Sequence, residues 1–133
     1  MSETKIAILC CHYTNEATTE DLAGIPAKVE IKRFPCSGRI EVVDILRAME
    51  EGAEAVMVAG CEMGTCHNKL GSLRASKRVK VAQEILQEIG LEPERIKMFF
   101  IPRLDTGAFV RACKQTLEAL LEILEKRIQE RHA

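Results

Sequence analysis

The stretch EAVMVAGCEMGTCH, residues 54–67, decides the fold of this chain. Its first part, residues 54–59, is an apolar run without alternation, which is typical of a β-strand that helices cover on both faces. A glycine and Cys61 follow this run directly, and Cys66 lies five residues further on. The stretch therefore predicts a buried parallel strand whose carboxyl end leads into a loop with two cysteines.

Three further runs with strand character lie elsewhere in the chain. They are KIAILC at residues 5–10, VEIKRF at residues 29–34 and RIKMFFI at residues 95–101. The first is continuously apolar, whereas the second alternates between polar and apolar residues and so predicts an edge strand. Four strands are therefore expected.

Apolar residues at helical spacing occupy the segments between and after these strands. A helix over residues 39–51 is predicted from the stripe Val42, Leu46 and Met49. A second, over residues 73–89, is predicted from Val79, Ala82, Leu86 and Ile89, with Gly90 and Pro93 as its stop signal. The third, with Asp105 or Thr106 as its N-cap, carries the stripe Val110, Cys113, Leu117, Leu120, Leu124 and Ile128.

The order of these elements predicts the fold class. Residues 15–23 are a weaker helix candidate, so that strands and helices alternate as β-α-β-α-β-α-β-α, and the tail after Ile128 is expected to fray. Such alternation predicts an α/β protein with a doubly wound, mainly parallel four-stranded sheet that is flavodoxin-like, with helices on both faces. With 133 residues, the chain is expected to form one domain over residues 1–133.

The charge balance argues against several classes of partner. Lys and Arg total 19 and Asp and Glu total 20, so the formal net charge is −1. This value gives no reason to expect a nucleic acid or an anionic membrane as partner. No apolar run reaches the roughly 18 residues that a membrane span needs, and the first residues lack the shape of a signal peptide. A cytoplasmic protein with reduced thiols is therefore expected.

The positions of the cysteines are the main functional signal. Five of the six follow the carboxyl ends of three predicted strands: Cys10, Cys11, Cys36, Cys61 and Cys66. In open α/β sheets, sites form beyond these strand ends, at the switch point, so these thiols are expected to share a site. Cys10 also ends a buried strand and is equally well explained as a core residue, and Cys113, on an apolar helical stripe, is expected to be one.

The surroundings of the cysteines suit an anionic iron–sulfur cluster. Helices expected to begin near Arg39 and Leu70 would direct their amide groups toward the site. His12 and His67 flank cysteines as candidate ligands or hydrogen-bond donors, and the basic run at residues 74–80 predicts a solvated helix face or a docking surface. The chain has no CxxC knuckle for zinc, and the four-residue gap between Cys61 and Cys66 also occurs in plant-type ferredoxins.

Four segments together resemble a known protein family. They are LCCHY at residues 9–13, PCSGR at 35–39, AGCEMGTCH at 59–67 and GSLRASKR at 71–78. On these motifs the chain resembles the delta (iron–sulfur) subunit family of methyl-viologen-reducing hydrogenase, from Ile6 to about Leu124.

The resemblance implies a protein that carries a 2Fe–2S cluster and relays electrons without substrate chemistry of its own. It implies as neighbours a hydrogenase or formate dehydrogenase module, or another redox subunit, and the flavoprotein subunit of a heterodisulfide reductase. It also implies a ligand pool of Cys10, Cys11, Cys36, Cys61 and Cys66, with Cys11, Cys36, Cys61 and Cys66 as the favoured four. The chain departs from the family around residues 102–107 and at Thr14, where a further cysteine is common. If that cysteine is a ligand in the family, either Cys10 replaces it here or the cluster is altered or missing.

Two other functions stay open from the residues alone. One is a thiol redox enzyme, with Cys61 or Cys66 as nucleophile at a helix start and His67 as base. The other is a structural zinc adaptor that bridges subunits. The thiol enzyme needs two cysteines at most, whereas five cysteines are predicted to cluster here.

Overall fold

The computed structural model describes residues 4–11, 21–61, 71–102 and 105–131. Its strands are β1 (Lys5–Cys11), β2 (Lys28–Phe34), β3 (Ala55–Cys61) and β4 (Ile96–Ile101). Its helices are α1 (Val42–Glu50), α2 (Gly71–Glu88) and α3 (Thr106–Arg131), with short 3₁₀ turns at Ser37–Arg39 and Pro93–Arg95. Most of the helix expected over 15–23 lies outside the described residues, and its described part, residues 21–23, is a turn.

The four strands form one parallel sheet in the order β2-β1-β3-β4. This order equals the first four positions of the flavodoxin-like arrangement, and it confirms the predicted α/β class and the edge position of β2. The chain adds β2 on one side of β1 and then β3 on the other side. The switch point therefore lies between the carboxyl ends of β1 and β3.

Helices cover both faces of the sheet. On one face α3 packs over a cluster that includes Ile6, Ile8 and Met57. On the other, α1 and α2 pack over a cluster that includes Leu9 and Val58. Successive side chains of a strand point to opposite faces, so a strand covered on both sides must be apolar throughout. This double covering explains the unbroken apolar runs of β1 and β3.

Strands β1 and β3 run further than the sequence predicts. Cys11 and Cys61 are the last residues of these strands rather than the first residues of loops. The reason is the pairing with the neighbouring strands, because Cys11 lies opposite Phe34 in β2 and Cys61 lies opposite Ile101 in β4. The expectation that these two cysteines lie in loops is therefore wrong by one or two residues, although both stay at the carboxyl edge.

Helices α1 and α2 are each followed by a glycine with a positive φ angle. Gly52 and Gly90 have φ angles of +116° and +88°, a region that side chains with a Cβ disfavour. The backbone N–H after each glycine caps the end of the helix by donating to a carbonyl of its last turn. Ala53 N donates to Ala48 O at 3.1 Å, and Leu91 N donates to Leu86 O at 2.8 Å. The predicted stop signal at Gly90 is confirmed.

The starts of α1 and α3 depend on acidic residues. The helix predicted from Arg39 begins instead at Val42, because Asp44 Oδ2 accepts a 2.8 Å hydrogen bond from Glu41 N and completes a capping box. At the start of α3, Asp105 Oδ1 accepts from Ala108 N at 2.9 Å, so Asp105 is confirmed as the N-cap.

Two residues of the predicted apolar stripes are exposed, and five others are only partly buried: Val42, Leu46, Met49, Val110 and Leu124. Ile89 and Ile128 are 65% and 57% exposed. The 26 residues of α3 span about 39 Å at ~1.5 Å per residue, whereas a strand of seven residues spans about 23 Å. The helix therefore extends past the sheet, and it continues to Arg131 instead of fraying after Ile128. No helix in the described part of the chain is long and apolar enough to cross a membrane.

The Glu92 carboxylate, at the amino-terminal edge of the sheet, links the segment after α2 to the Pro93–Arg95 turn and to α3. Glu92 accepts hydrogen bonds from Arg127 Nε at 2.6 Å and from Arg95 Nε at 2.9 Å. Buried Arg95 also donates to Glu54 O at 3.0 Å. These bonds, that to Arg127 above all, lower the pKa of Glu92 to about 2.

We expect Glu92→Gln to lower the free energy of unfolding by about 1–2 kcal/mol at pH 7. The reason is that Arg95 and Arg127 lose the negatively charged acceptor of their hydrogen bonds. The lowered folded-state pKa means that the carboxylate stabilises the protein fully above the ordinary value of 4.5 and loses this effect as the pH falls toward about 2. Urea unfolding at pH 7 and pH 3 measures both effects. Glu94→Gln, on an exposed residue of the same turn, is the control; equal losses for both variants would contradict this account.

Candidate metal centre

The ends of β1 and β3 place two cysteines at the switch point. Cys11 ends β1 and Cys61 ends β3, and these neighbouring strands are paired in parallel up to Cys10 and Ala59. The backbone positions of Cys11 and Cys61 therefore lie side by side at one edge of the sheet. Of Cys61 the structure describes the backbone. Cys66, His12, Thr14 and His67 lie outside the described residues.

Cys36 reaches the same edge from β2. It lies two residues beyond Phe34 and is the N-cap of the 3₁₀ turn Ser37–Arg39. Its Sγ accepts a hydrogen bond from Gly38 N at 3.4 Å. The turn contacts β1 and β3 as well as α2. The structure therefore brings the backbones of Cys11, Cys36 and Cys61 together at one edge of the sheet, as the sequence predicts.

The turn that follows Cys36 lies directly on the amino terminus of α2. A Cβ added to Gly38 would stand 3.0 Å from Gly71 Cα, which is tighter than most Cβ contacts, and 3.7 Å from Cys36 Sγ. The first turn of α2 therefore lies next to Cys36, with the positive end of the helix dipole near a group that binds metal as an anion. The expectation that α2 begins at the site is confirmed, whereas α1 begins at Val42 and not at Arg39.

Arg78 ties the Cys36 turn to α2. Its Nη1 donates to Gly38 O and, at 3.1 Å, to Ile40 O, and it lies 3.5 Å from Glu41 Oε1. Sequence reasoning places Arg78 in a basic helix face and misses this role. The sequence holds no signal for it, because the acceptors are main-chain carbonyls 40 and 38 residues away.

Cys10 and Cys113 lie together in the core under α3. Both are 0% exposed and belong to the same apolar cluster. Burial raises the pKa of each thiol to about 11, and at Cys10 the Arg33 guanidinium, 3.9 Å from Sγ, opposes this rise. The prediction that Cys113 is a core residue is confirmed. Cys11 follows Cys10 in the strand and so faces the opposite side, that of α1 and α2.

Ser37 provides a further polar group next to Cys36. Its side chain is 0% exposed. Its hydroxyl has no hydrogen-bond partner among the residues that the structure describes. Buried hydroxyls are normally paired, because an unpaired one costs about 1–3 kcal/mol. An acceptor that belongs to a bound group would satisfy it.

The groups at this edge of the sheet can be compared with those that an iron–sulfur cluster requires. Within 4–11, 21–61, 71–102 and 105–131, no three Cys, His, Asp or Glu side chains come close enough to hold a metal ion. The residues whose backbones converge are cysteines, whose thiolates iron–sulfur clusters prefer. An orphaned hydroxyl, a backbone N–H directed at Cys36 Sγ and a helix amino terminus lie on the Cys36 turn or next to it. Groups of these kinds stabilise negative charge on ligand sulfurs, so the surroundings fit such a cluster.

Most of the chain matches a known protein family. Residues 6–123 match the family model described as "Methyl-viologen-reducing hydrogenase, delta subunit". The match begins in β1 and ends within α3, and thus includes α1, α2 and the larger part of α3.

Individual relatives fall into two groups. The chain is 37% identical over 128 residues to the vhu iron-sulfur subunit of the F420-non-reducing hydrogenase of Methanopyrus kandleri, covering 92% of this chain and 97% of that protein. It is 38% identical over 115 residues to the protein of the same name from Methanocaldococcus jannaschii, covering 83% and 86%. It is also 35% identical over 125 residues to a subunit of the ferredoxin:CoB-CoM heterodisulfide reductase of Methanosarcina mazei, covering 89% of this chain but 15% of that protein.

Proposed function

Since the chain belongs to the delta-subunit family of methyl-viologen-reducing hydrogenase, we propose that it is a 2Fe–2S electron-transfer subunit of a cytoplasmic redox complex. The proposed ligands are Cys11, Cys36, Cys61 and Cys66. The convergence of the first three of these positions at the switch point is the observation that carries the proposal.

The location of Cys10 supports leaving it out of the four ligands. Its side chain lies in the apolar cluster under α3, on the opposite face of β1 from Cys11. The side chain of Cys10 is 0% exposed within this cluster, as is typical of a cysteine that fills space in an apolar core. Cys10 then does not take the place of the further cysteine that the family commonly has at the position of Thr14.

The residues of the chain would hold the cluster and set its potential. When bound, a 2Fe–2S cluster takes up and releases one electron at a time. Gly38 N donates to Cys36 Sγ and so stabilises the thiolate form that a metal requires. The amino terminus of α2 adds positive potential on the same side. Cys11 and Ser37 are buried and Cys36 is half-buried, and the access of water to a cluster also affects its potential.

The relatives suggest the electron partners. The name of the Methanosarcina mazei relative is that of a heterodisulfide reductase component, and 15% of its length corresponds to this chain. A module that is part of one protein and a separate chain elsewhere is expected to dock on the remainder of that protein. We therefore propose a heterodisulfide-reductase-like flavoprotein subunit as one partner. A hydrogenase, formate dehydrogenase or other redox subunit is proposed as the second.

A two-step anaerobic experiment tests the proposed relay. The purified chain is mixed with the hydrogenase from its own source under hydrogen, and its visible absorption is followed. We expect the absorption to bleach, and to recover when the matching heterodisulfide reductase flavoprotein and an oxidant are added. Cys36→Ser, without a full ligand set, is expected to show neither change. A chain that carries a cluster but exchanges electrons with neither partner at micromolar concentration would contradict the relay.

A further inference from the structure

Ser37 is a buried polar residue next to one of the proposed cluster ligands. Ser37 follows Cys36 directly, and its turn contacts β1 and β3, the strands that end in Cys11 and Cys61. Its main chain is already engaged, because Ser37 O accepts from Ile40 N at 3.1 Å. Its side chain is fully buried. Any partner of the hydroxyl must therefore be an internal group at this edge of the sheet.

No such partner occurs among residues 4–11, 21–61, 71–102 and 105–131. Burying an unpaired hydroxyl is unfavourable, and alanine would fill nearly the same space without that penalty. The nearby hydrogen-bond donors of the turn already have acceptors: Gly38 N donates to Cys36 Sγ, and Ile40 N donates to Ser37 O. The Ser37 hydroxyl is therefore an O–H donor beside a proposed ligand, and an anionic acceptor would satisfy it.

We infer that the Ser37 hydroxyl donates a hydrogen bond to a sulfur of the bound cluster and thereby raises its reduction potential. This inference rests on the proposed function. Cluster sulfides and cysteine thiolates are anionic acceptors, and they gain negative charge when the cluster is reduced. A donor at this position stabilises the reduced form more than the oxidised form. Ser37 is thus a positioning and tuning residue that favours reduction of the relay by its donor.

The test compares the full-length wild type with Ser37→Ala and Ser37→Thr after anaerobic purification. Iron and sulfide per chain are measured first, and the midpoint potential of the loaded fraction is then titrated by EPR. We expect Ser37→Ala to shift the midpoint to a more negative value. The equilibrium constant for reduction should fall by about tenfold, which is ~59 mV for a one-electron couple. Ser37→Thr keeps the hydroxyl and is expected to restore most of the shift.

A second readout follows the hydrogen bond itself. Resonance Raman spectra in H₂O and D₂O should show an iron–sulfur stretching band whose deuterium shift is smaller in Ser37→Ala, where Gly38 N is the remaining donor to Cys36 Sγ, than in the wild type. If Ser37→Ala is less stable but keeps the wild-type potential and the deuterium shift, the hydroxyl bonds a protein group and the inference is overturned. If the wild type itself holds no iron or sulfide, the proposed function fails instead, and this outcome is distinguished in the first measurement.

Discussion

Replacing Cys36 by serine is expected to abolish cluster binding. Cys36 is the proposed ligand on the turn after β2, and its Sγ already accepts from Gly38 N at 3.4 Å. A serine hydroxyl keeps that hydrogen bond but does not ionise near neutral pH, so the site loses one of its four thiolates. We expect iron per chain to fall at least roughly tenfold, since changes in groups that merely support metal ligands cost 10–100-fold. Iron and acid-labile sulfide analysis measures the loss.

Cys113→Ser is the matched control for this prediction. Cys113 lies on α3 in the apolar core, with 0% exposure. The same chemical change there is expected to leave the iron content unchanged and to lower the free energy of unfolding by about 1–3 kcal/mol, because a hydroxyl replaces a buried thiol. A Cys113→Ser protein that folds but contains no iron would contradict the ligand assignment.

Replacing Arg78 by methionine is the second change expected to have a large effect. The guanidinium donates to the carbonyls of Gly38 and Ile40 and so holds the Cys36 turn against α2. Methionine keeps much of the packing but leaves both carbonyls without this donor. A hydrogen bond from a charged group contributes about 1.5–3 kcal/mol, and both bonds here come from the same Nη1 atom, so we expect a loss of about 2–3 kcal/mol in the free energy of unfolding. Iron affinity is expected to fall roughly tenfold as the turn loosens.

Lys77→Met provides the control for the change in charge. Lys77 is the exposed neighbour of Arg78 in the same basic run, and its replacement removes the same unit of charge. Chemical denaturation and competition for iron with a chelator should separate the two variants. If Lys77→Met loses as much iron affinity as Arg78→Met, the net charge of the helix matters rather than the bonds to the turn.

The sheet could be predicted because its strands are covered on both sides. Continuous apolar runs in β1 and β3 follow from that covering, and the alternating run in β2 follows from its place at the edge. The predicted end of β3 falls too early, because Gly60 before Cys61 is typical of a turn. Pairing with β4 up to Ile101 decides that the strand continues. Such pairing depends on a segment about 40 residues away, and no local feature of the sequence around Cys61 indicates it.

The candidate site could be predicted in part for a similar reason. Parallel strands end at one edge, so cysteines after several strand ends must approach each other. The contacts that shape the site depend instead on packing between distant segments. Neither the bonds of Arg78 to the turn nor the burial of Ser37 corresponds to a residue pattern. The exposure of Ile128 likewise depends on where the sheet stops, and helical periodicity does not encode that position.

The most direct test of the proposed iron–sulfur protein is the content of iron, zinc and acid-labile sulfide per chain after strictly anaerobic purification, combined with EPR of the reduced sample. The account predicts about two irons and two sulfides per chain and the EPR signal of a reduced 2Fe–2S cluster. Zinc in place of iron would favour a structural adaptor. Protein without metal, although made with ample iron and sulfide, would favour thiol chemistry, and either result would contradict the proposed relay.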